Sequence, residues 1–369
     1  MDLTQDSEQN PLHSNPHSAY GMTLPLPQIA SYRLIHLLYE GNRTLVYRGM
    51  GEFDRQPVVL KLLKQEHPSV SDMLRLRNHY TLTRRLHLSG VVRPLGLEPW
   101  GHRLVLVMPD HGDLSLRDYV QEHPLTLEEF LGIALQLAEI LQELRQQRII
   151  HKDIKPANIL IQPETGQITL TDFGLASLLP QETQALKPPE ELEGTLAYLS
   201  PEQTGRMNRG IDYRTDFYSL GVTFYELLTG QLPFPSQDPL DLVYCHLAKE
   251  PVPPHELIRR LESAVKPAIP ETLSRMVLKL MAKNAEDRYQ SPLGLKADLE
   301  LCLDQYRTIG TIAHFIPGQV DDMAQFNIPQ KLYGRESQVK TLLAAFERIS
   351  QGGVSSCWSG GLLASAKRP

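Results

Sequence analysis

Short apolar runs of strand length occupy the first third of the chain, and longer runs at helical spacing occupy most of the rest. Gln56-Pro57-Val58-Val59-Leu60-Lys61 reads as a strand that ends on a lone lysine, and Leu104-Val105-Leu106-Val107-Met108 as a second, buried one. Between them, Asp72 to Leu86 carries Leu76, Tyr80 and Thr83 at helical spacing. After Asp110 the texture turns helical. Leu125 to Gln147 predicts a long amphipathic helix, with Thr126 as N-cap three residues ahead of Glu129. Two short strands, Asn158 to Ile161 and Ile168 to Thr171, precede a loop rich in Pro and Glu, and helices continue to Leu303. Strands first and helices after predict an α+β fold, with a small β-rich lobe ahead of a large α-helical one.

The flanks differ in texture. Residues 1–30 are rich in Asn, Gln, Ser, His and Pro without a period, which predicts a disordered leader ahead of a domain over 31–305. Residues 306–331 read as a linker, and the remainder is too short to form a domain alone. The 41% of hydrophobic residues argues against wholesale disorder, and a net charge of −6 argues against a nucleic-acid backbone or an anionic membrane as main partner. Cys245, Cys302 and Cys357 are odd in number and far apart, so neither a disulfide framework nor a zinc site is expected, and a cytoplasmic location is. No apolar run reaches the ~20 residues that a membrane-spanning helix needs.

The chemistry concentrates in one stretch, His151-Lys152-Asp153-Ile154-Lys155-Pro156-Ala157-Asn158-Ile159-Leu160, followed by Thr171-Asp172-Phe173-Gly174. An isolated Asp-x-Lys is ordinarily a solvated loop. Two acids and an amide beside short strands, with a lysine two residues after the first acid, make a set suited to phosphoryl transfer. A carboxylate can receive a hydroxyl proton, carboxylate and amide oxygens can hold Mg²⁺, and a cation can face phosphate.

These motifs resemble those of eukaryotic-type protein kinases, over roughly Tyr32 to Leu303. The resemblance implies a bilobal kinase fold and a bacterial enzyme that uses ATP and Mg²⁺ (or Mn²⁺) to phosphorylate protein Ser or Thr hydroxyls. It gives Asp153 the role of catalytic base, Lys155 that of phosphate contact, and Asn158 and Asp172 those of metal ligands. Val58-Val59-Leu60-Lys61 matches the strand lysine motif, so Lys61 is expected to hold ATP phosphates. Gly41, Val46, Val59, Met108, Asp110 and Leu160 are expected around the nucleotide, with Met108 at the entry to the hinge. In the large lobe, Ser200-Pro201-Glu202 resembles the end of an activation segment, with Glu202 paired to Arg288. Asp216 matches an acid that braces the catalytic loop, and Thr195 falls in a substrate-docking loop. Small-molecule phosphotransferases share the catalytic Asp and Asn but lack the long activation segment, Ser200-Pro201-Glu202 and the Arg288 partner.

Three positions depart from the pattern. The glycine-rich loop is reduced to Tyr39-Glu40-Gly41-Asn42-Arg43-Thr44-Leu45-Val46 and keeps one glycine. The helix position that should carry a glutamate partner for Lys61 falls on His79, so Lys61 must be oriented by Asp172, by a neutral imidazole or by phosphate. These two features favour the rival reading, a pseudokinase that regulates a larger protein. Lys152 replaces the arginine that grips a phosphorylated activation loop, which predicts weak dependence on phosphorylation at the candidate sites Thr183 and Ser177.

Pro201-Glu202-Gln203-Thr204-Gly205-Arg206-Met207-Asn208-Arg209 resembles one group of long cyanobacterial-type sensor kinases, in which a P-loop ATPase follows the kinase domain, then a GAF domain and often a histidine kinase. Ile328-Pro329-Gln330-Lys331-Leu332-Tyr333-Gly334-Arg335-Glu336 resembles the entry to that ATPase, so 332–353 is expected to be its truncated start. The phosphate loop does not follow. A two-nucleotide shift of the frame over 354–369 permits an apolar strand running into Gly-Phe-Ala-Gly-Ile-Gly-Lys-Thr-Ser, so this tail is expected to be frameshifted. Codons that forbid the shifted frame would exclude that expectation.

Overall fold

The computed structural model describes residues 27–321, apart from 30, 179–191, 193, 262–267 and 320. The expected leader up to residue 26, the expected ATPase start, the expected frameshifted tail and Thr183 lie outside the described residues.

Five antiparallel strands form the first lobe: β1 (Tyr32–Glu40), β2 (Thr44–Gly51), β3 (Pro57–Leu63), β4 (Gly96–Trp100) and β5 (Arg103–Pro109), in the order β1-β2-β3-β5-β4. The period of two decides what each face of β3 does. Val58, Leu60 and Leu62 pack on one face with Val105, Val107 and Tyr47. Val59 and Lys61 therefore face the other way, toward the cleft. Helix α1 (Val70–Thr83) covers that second face, where Leu76 meets Leu63, Leu104, Leu106 and Met108. Ser69 caps α1 by accepting from the Asp72 N–H at 3.1 Å. The helix ends at Thr83, so Leu86 lies beyond it. Its buried face runs through Leu76, His79, Leu82 and Thr83, while the expected Tyr80 is only half-buried.

The second lobe begins with β6 (Leu114–Ser115), α2 (Leu116–Glu122) and α3 (Leu127–Gln146). Thr126 and Glu129 make the expected capping box: Thr126 N donates to Glu129 Oε2 at 2.8 Å, and Glu129 N to Thr126 Oγ1 at 3.2 Å. Such a cap is worth about 1 kcal/mol. Strands β7 (Ile159–Gln162) and β8 (Gln167–Leu170) join β6 in a small sheet that carries the loops of the site. Helix α4 (Arg214–Thr229) is buried all round from Arg214 to Tyr225, which makes it the central helix of this lobe. Around it stand α5 (Pro239–Ala248), α6 (Pro254–Arg260), α7 (Glu271–Leu280) and α8 (Pro292–Ile309). Gly221 permits the crossing of α4 and α7, since a Cβ there would sit 2.8 Å from Leu280 Cβ.

Both expected domain edges move outward. Ile29 is 6% exposed and bridges Tyr32, and Trp100 Nε1 donates to Gln28 O at 3.0 Å, so the last residues of the expected leader belong to the fold. At the other end the 305/306 boundary falls inside α8, and the chain beyond that helix stays on the domain. Ile312 and Phe315 pack on the core, Thr272 Oγ1 donates to Ala313 O at 3.0 Å, and Gly318 N donates to Asp298 Oδ2 at 2.6 Å. The Asp321 carboxylate accepts from Gln290 N at 2.5 Å and from Ser291 N and Oγ at 3.0 Å each. The first half of the expected linker is thus a strap. It escaped the sequence reading because it has no periodic pattern and is held largely by polar contacts.

Candidate active site

A cleft of about 720 Å³ opens between the lobes and gathers Gly41, Val46, Val59, Lys61, Met108, Asp110, Asp153, Lys155, Asn158, Leu160, Asp172 and Thr195. Lys61 reaches it from β3, Met108 and Asp110 from the end of β5, and the acids from loops flanking β7 and β8.

The loop bearing Asp153 is built around a buried acid and a buried imidazole. Asp216 on α4 is 2% exposed and accepts from His151 N and Lys152 N at 2.8 Å each. Burial pushes its carboxyl up, and His151 with these two N–H donors offsets part of that rise. The bonds hold Lys152 at φ +68°, a conformation that costs a non-glycine residue about 1 kcal/mol or more. His151 Nδ1 accepts from Asp153 N at 3.2 Å, so Nε2 carries the proton and donates to Thr171 O at 3.0 Å. Asp153 is thereby fixed relative to Asp172, one residue past that acceptor.

The Asp153 carboxylate is held from three sides. Asn158 Nδ2 donates to its Oδ2 at 2.9 Å and to its backbone O at 2.8 Å. Lys155 Nζ lies 2.7 Å from Oδ2 and donates to Thr195 Oγ1 at 2.5 Å. Thr195 N and Oγ1 in turn donate to Oδ1 at 3.3 and 3.2 Å. With its N–H₂ committed to Asp153, Asn158 keeps its amide oxygen for a cation.

Lys61 Nζ pairs with Asp172 Oδ2 at 2.7 Å. Burial, the largest single influence, would raise the Asp172 carboxyl, but the Lys61 charge and hydrogen bond, with the Lys155 charge behind them, help hold it well below the usual carboxylate range. Of the two protein groups expected to orient Lys61, Asp172 is the one in contact among the described residues. His79 is 1% exposed, with Nδ1 4.0 Å from Asp172 Oδ1 and neither ring nitrogen hydrogen-bonded among the described residues. Burial pushes that imidazole down to about 3, so it stays neutral.

Two expected positions gain detail. Asp110 borders the cleft, but its carboxylate is engaged by Arg48 Nε at 2.5 Å and Nη2 at 3.2 Å and by Gly112 N at 2.9 Å. Its own N–H donates to Pro57 O at 3.2 Å, so Asp110 is tied to β2 and β3 at the edge of the cleft. Ser177 exchanges two 2.9 Å backbone bonds with Ile150, and its hydroxyl is buried, which argues against it as a phosphorylation site. At the foot of the activation segment, Arg288 meets Glu202 through two bonds of 2.7 and 2.8 Å, and Thr215 Oγ1 adds a third at 2.8 Å. Burial would raise the Glu202 carboxyl, and Arg288 outweighs it and holds it at about 2.

The sequence reading missed two contacts. Arg43, in the reduced glycine loop, lies 3.5 Å from Asp72 of α1. Asn78 of α1 donates to backbone carbonyls beyond Asp172. Asn is a poor helix former, and one on the inner face of a helix is a signal for a polar partner there.

The profile of the protein kinase domain family matches residues 32–298. The chain belongs to this family. Among bacterial relatives of this kinase domain, a probable serine/threonine-protein kinase of Corynebacterium efficiens is 36% identical over 219 residues, 59% of this chain and 32% of that protein. Serine/threonine-protein kinase PknB of Mycobacterium tuberculosis is 36% identical over 202 residues, 54% of this chain and 30% of its own length. The DNA damage-responsive serine/threonine-protein kinase RqkA of Deinococcus radiodurans is 33% identical over 268 residues, 72% of this chain and 38% of its own. The matched part thus spans about a third of each relative's length. No helix among the described residues is long and apolar enough to cross a membrane.

Proposed function

We propose that this kinase domain transfers the γ-phosphoryl of ATP to Ser or Thr hydroxyls of proteins, in bacterial signalling in the cytoplasm. The observation that carries the reading is the Asp153 carboxylate, gripped by Asn158, Lys155 and Thr195 in the same cleft as the Lys61–Asp172 pair. Asp153 receives the proton of the attacking hydroxyl, and Thr195 and Asn158 keep its oxygens aimed. Lys155, already beside Asp153, faces the transferred phosphoryl, while Lys61 holds the α- and β-phosphates. The adenine lies between Val46, Val59 and Leu160, next to Met108 and the hinge. Asn158 and Asp172 supply neutral and anionic oxygens, a donor set that suits Mg²⁺ or Mn²⁺. When bound, the ion neutralises charge on the phosphates. Positioning and electrostatics do most of the work.

The test is phosphate incorporation from labelled ATP with Mg²⁺ or Mn²⁺, into the chain itself and a generic basic protein. Asp153→Asn keeps the shape and removes the base, and incorporation is expected to fall by ~10²–10⁴-fold. A second reading rests on the buried neutral His79 and the single glycine of the flap, which favour a regulatory ATP-binding pseudokinase. ATP binding with no incorporation in either protein would establish that reading and refute the first.

For the chain beyond the domain, we read 332–353 as the start of a P-loop ATPase and place the domain in a multidomain sensor protein. The support is the resemblance at Pro201 to Arg209 and Ile328 to Glu336. The DNA across the codons of 352–369 tests the frame.

A further inference from the structure

Helix α1 carries no carboxylate to Lys61, yet it is tied to the site by an amide. Asn78 Nδ2 lies 2.8 Å from Ala176 O, 3.1 Å from Gly174 O and 3.3 Å from Phe173 O. Its two hydrogens serve the first of these fully and share the other two. The three carbonyls belong to the turn that follows Asp172, and Asp172 itself stands at φ +64°, a left-handed conformation that a non-glycine residue keeps only when its surroundings hold it. The Asp172 side chain does not cap that turn, and the neighbouring His79 ring makes no hydrogen bond among the described residues.

We propose that Asn78 is a positioning residue for Asp172: by gripping residues 173–176 it couples the placement of α1 to the metal-binding carboxylate. The inference rests on the reading of Asp172 as a metal ligand. In this arrangement the helix acts on the backbone after the acid and leaves Lys61 to pair with the acid itself. Arg43 reaches Asp72 on the same helix, so the flap and the metal loop share one support. A shift of α1 would move both.

The experiment uses the full chain and three variants. Asn78→Leu removes the donors and keeps the branching at Cγ on a bulkier side chain, Asn78→Asp removes them at nearly constant volume and sets a carboxylate against three carbonyls, and Asn78→Gln keeps the donors on a longer stem. Mn²⁺ binding to the ATP-loaded protein, followed by electron paramagnetic resonance, is expected to weaken at least fivefold in the Leu and Asp variants. The Gln variant is expected to bind Mn²⁺ with an affinity between those two and the wild type. Amide exchange at 173–177 is expected to quicken at least tenfold in the Leu and Asp variants while α3 keeps its protection. Unchanged Mn²⁺ affinity and unchanged exchange at 173–177 in Asn78→Leu would overturn the proposal, as would a loss of protection spread evenly over the domain. Should Asn78→Asp fail to fold, Asn78→Leu decides alone. Neither readout needs turnover, so a wild-type chain without kinase activity would sink the functional reading and leave this test standing.

Discussion

His246 offers a quantitative check on the packing of the large lobe. It lies on α5 with no exposed surface; Nδ1 meets the Tyr218 hydroxyl at 2.9 Å and Nε2 has no hydrogen-bond partner among the described residues. The rings of Phe234 and Tyr218 stand edge-on at 5.4 and 5.6 Å, and Lys283 Nζ sits over those two rings at 4.9 and 5.8 Å. Burial first, and the Lys283 cation second, push the imidazole down to about 3, and the Leu196 backbone, which favours the charged ring, does not outweigh them. The folded protein therefore keeps His246 neutral, whereas the unfolded chain protonates it below about pH 6.5. Between pH 6.5 and about 3 the unfolded state binds one proton more, so stability falls as pH falls, by ~1.4 kcal/mol per unit. From pH 8 to pH 5 the loss from this residue is about 2 kcal/mol. Urea unfolding of wild type and His246→Gln at pH 8 and pH 5 measures it. The variant should start less stable, having lost its bond to Tyr218, yet lose about 2 kcal/mol less between the two pH values. Parallel stability–pH curves for the two proteins would refute the reasoning.

Breaking the ion pair below the activation segment should be costly, because Glu202→Gln leaves Arg288 buried without its counter-charge. The expected loss is about 3–5 kcal/mol, a fall of roughly 6–20 °C in Tm by calorimetry, and a loss under 1 kcal/mol would show that the carbonyls around Arg288 suffice. A fragment ending at residue 321 should melt higher than one ending at residue 305, because the shorter one loses the end of α8 together with Ile312, Phe315 and the Asp321 contacts. Equal Tm values would mean that the strap adds nothing.

What the sequence disclosed and what it hid have different physical origins. The gathering of Lys61, Asp153, Asn158 and Asp172 in one cleft was legible because their motifs resemble those of protein kinases. Thr126 and Glu129 were legible because a capping box is local. The role of Asn78 was not, since its partners are backbone carbonyls 95 to 98 residues away that leave no mark in the sequence. Asp110 was placed beside the cleft, but its bond to Arg48 depends on the pairing of β2 with β3 and of β3 with β5. Ser177 read as a candidate phosphorylation site because its pairing with Ile150 is a long-range bridge that the sequence does not show. The strap was misread for a related reason: Gly318 and Asp321 are held by residues 20 to 31 positions earlier, and nothing periodic announces them.

The strap also sets how a pull on the chain would be carried. Asp321 hangs on Gln290 and Ser291, two and three residues past Arg288, and Arg288 is clamped to Glu202. Tension applied beyond Asp321 is therefore delivered to the loop that bears Arg288 before it can unwind α8. Its first resistance is a set of hydrogen bonds loaded together, and behind them stands the ion pair that anchors Ser200-Pro201-Glu202. The domain has a mechanical handle at its C-terminal side, and the handle is wired to the foot of the activation segment.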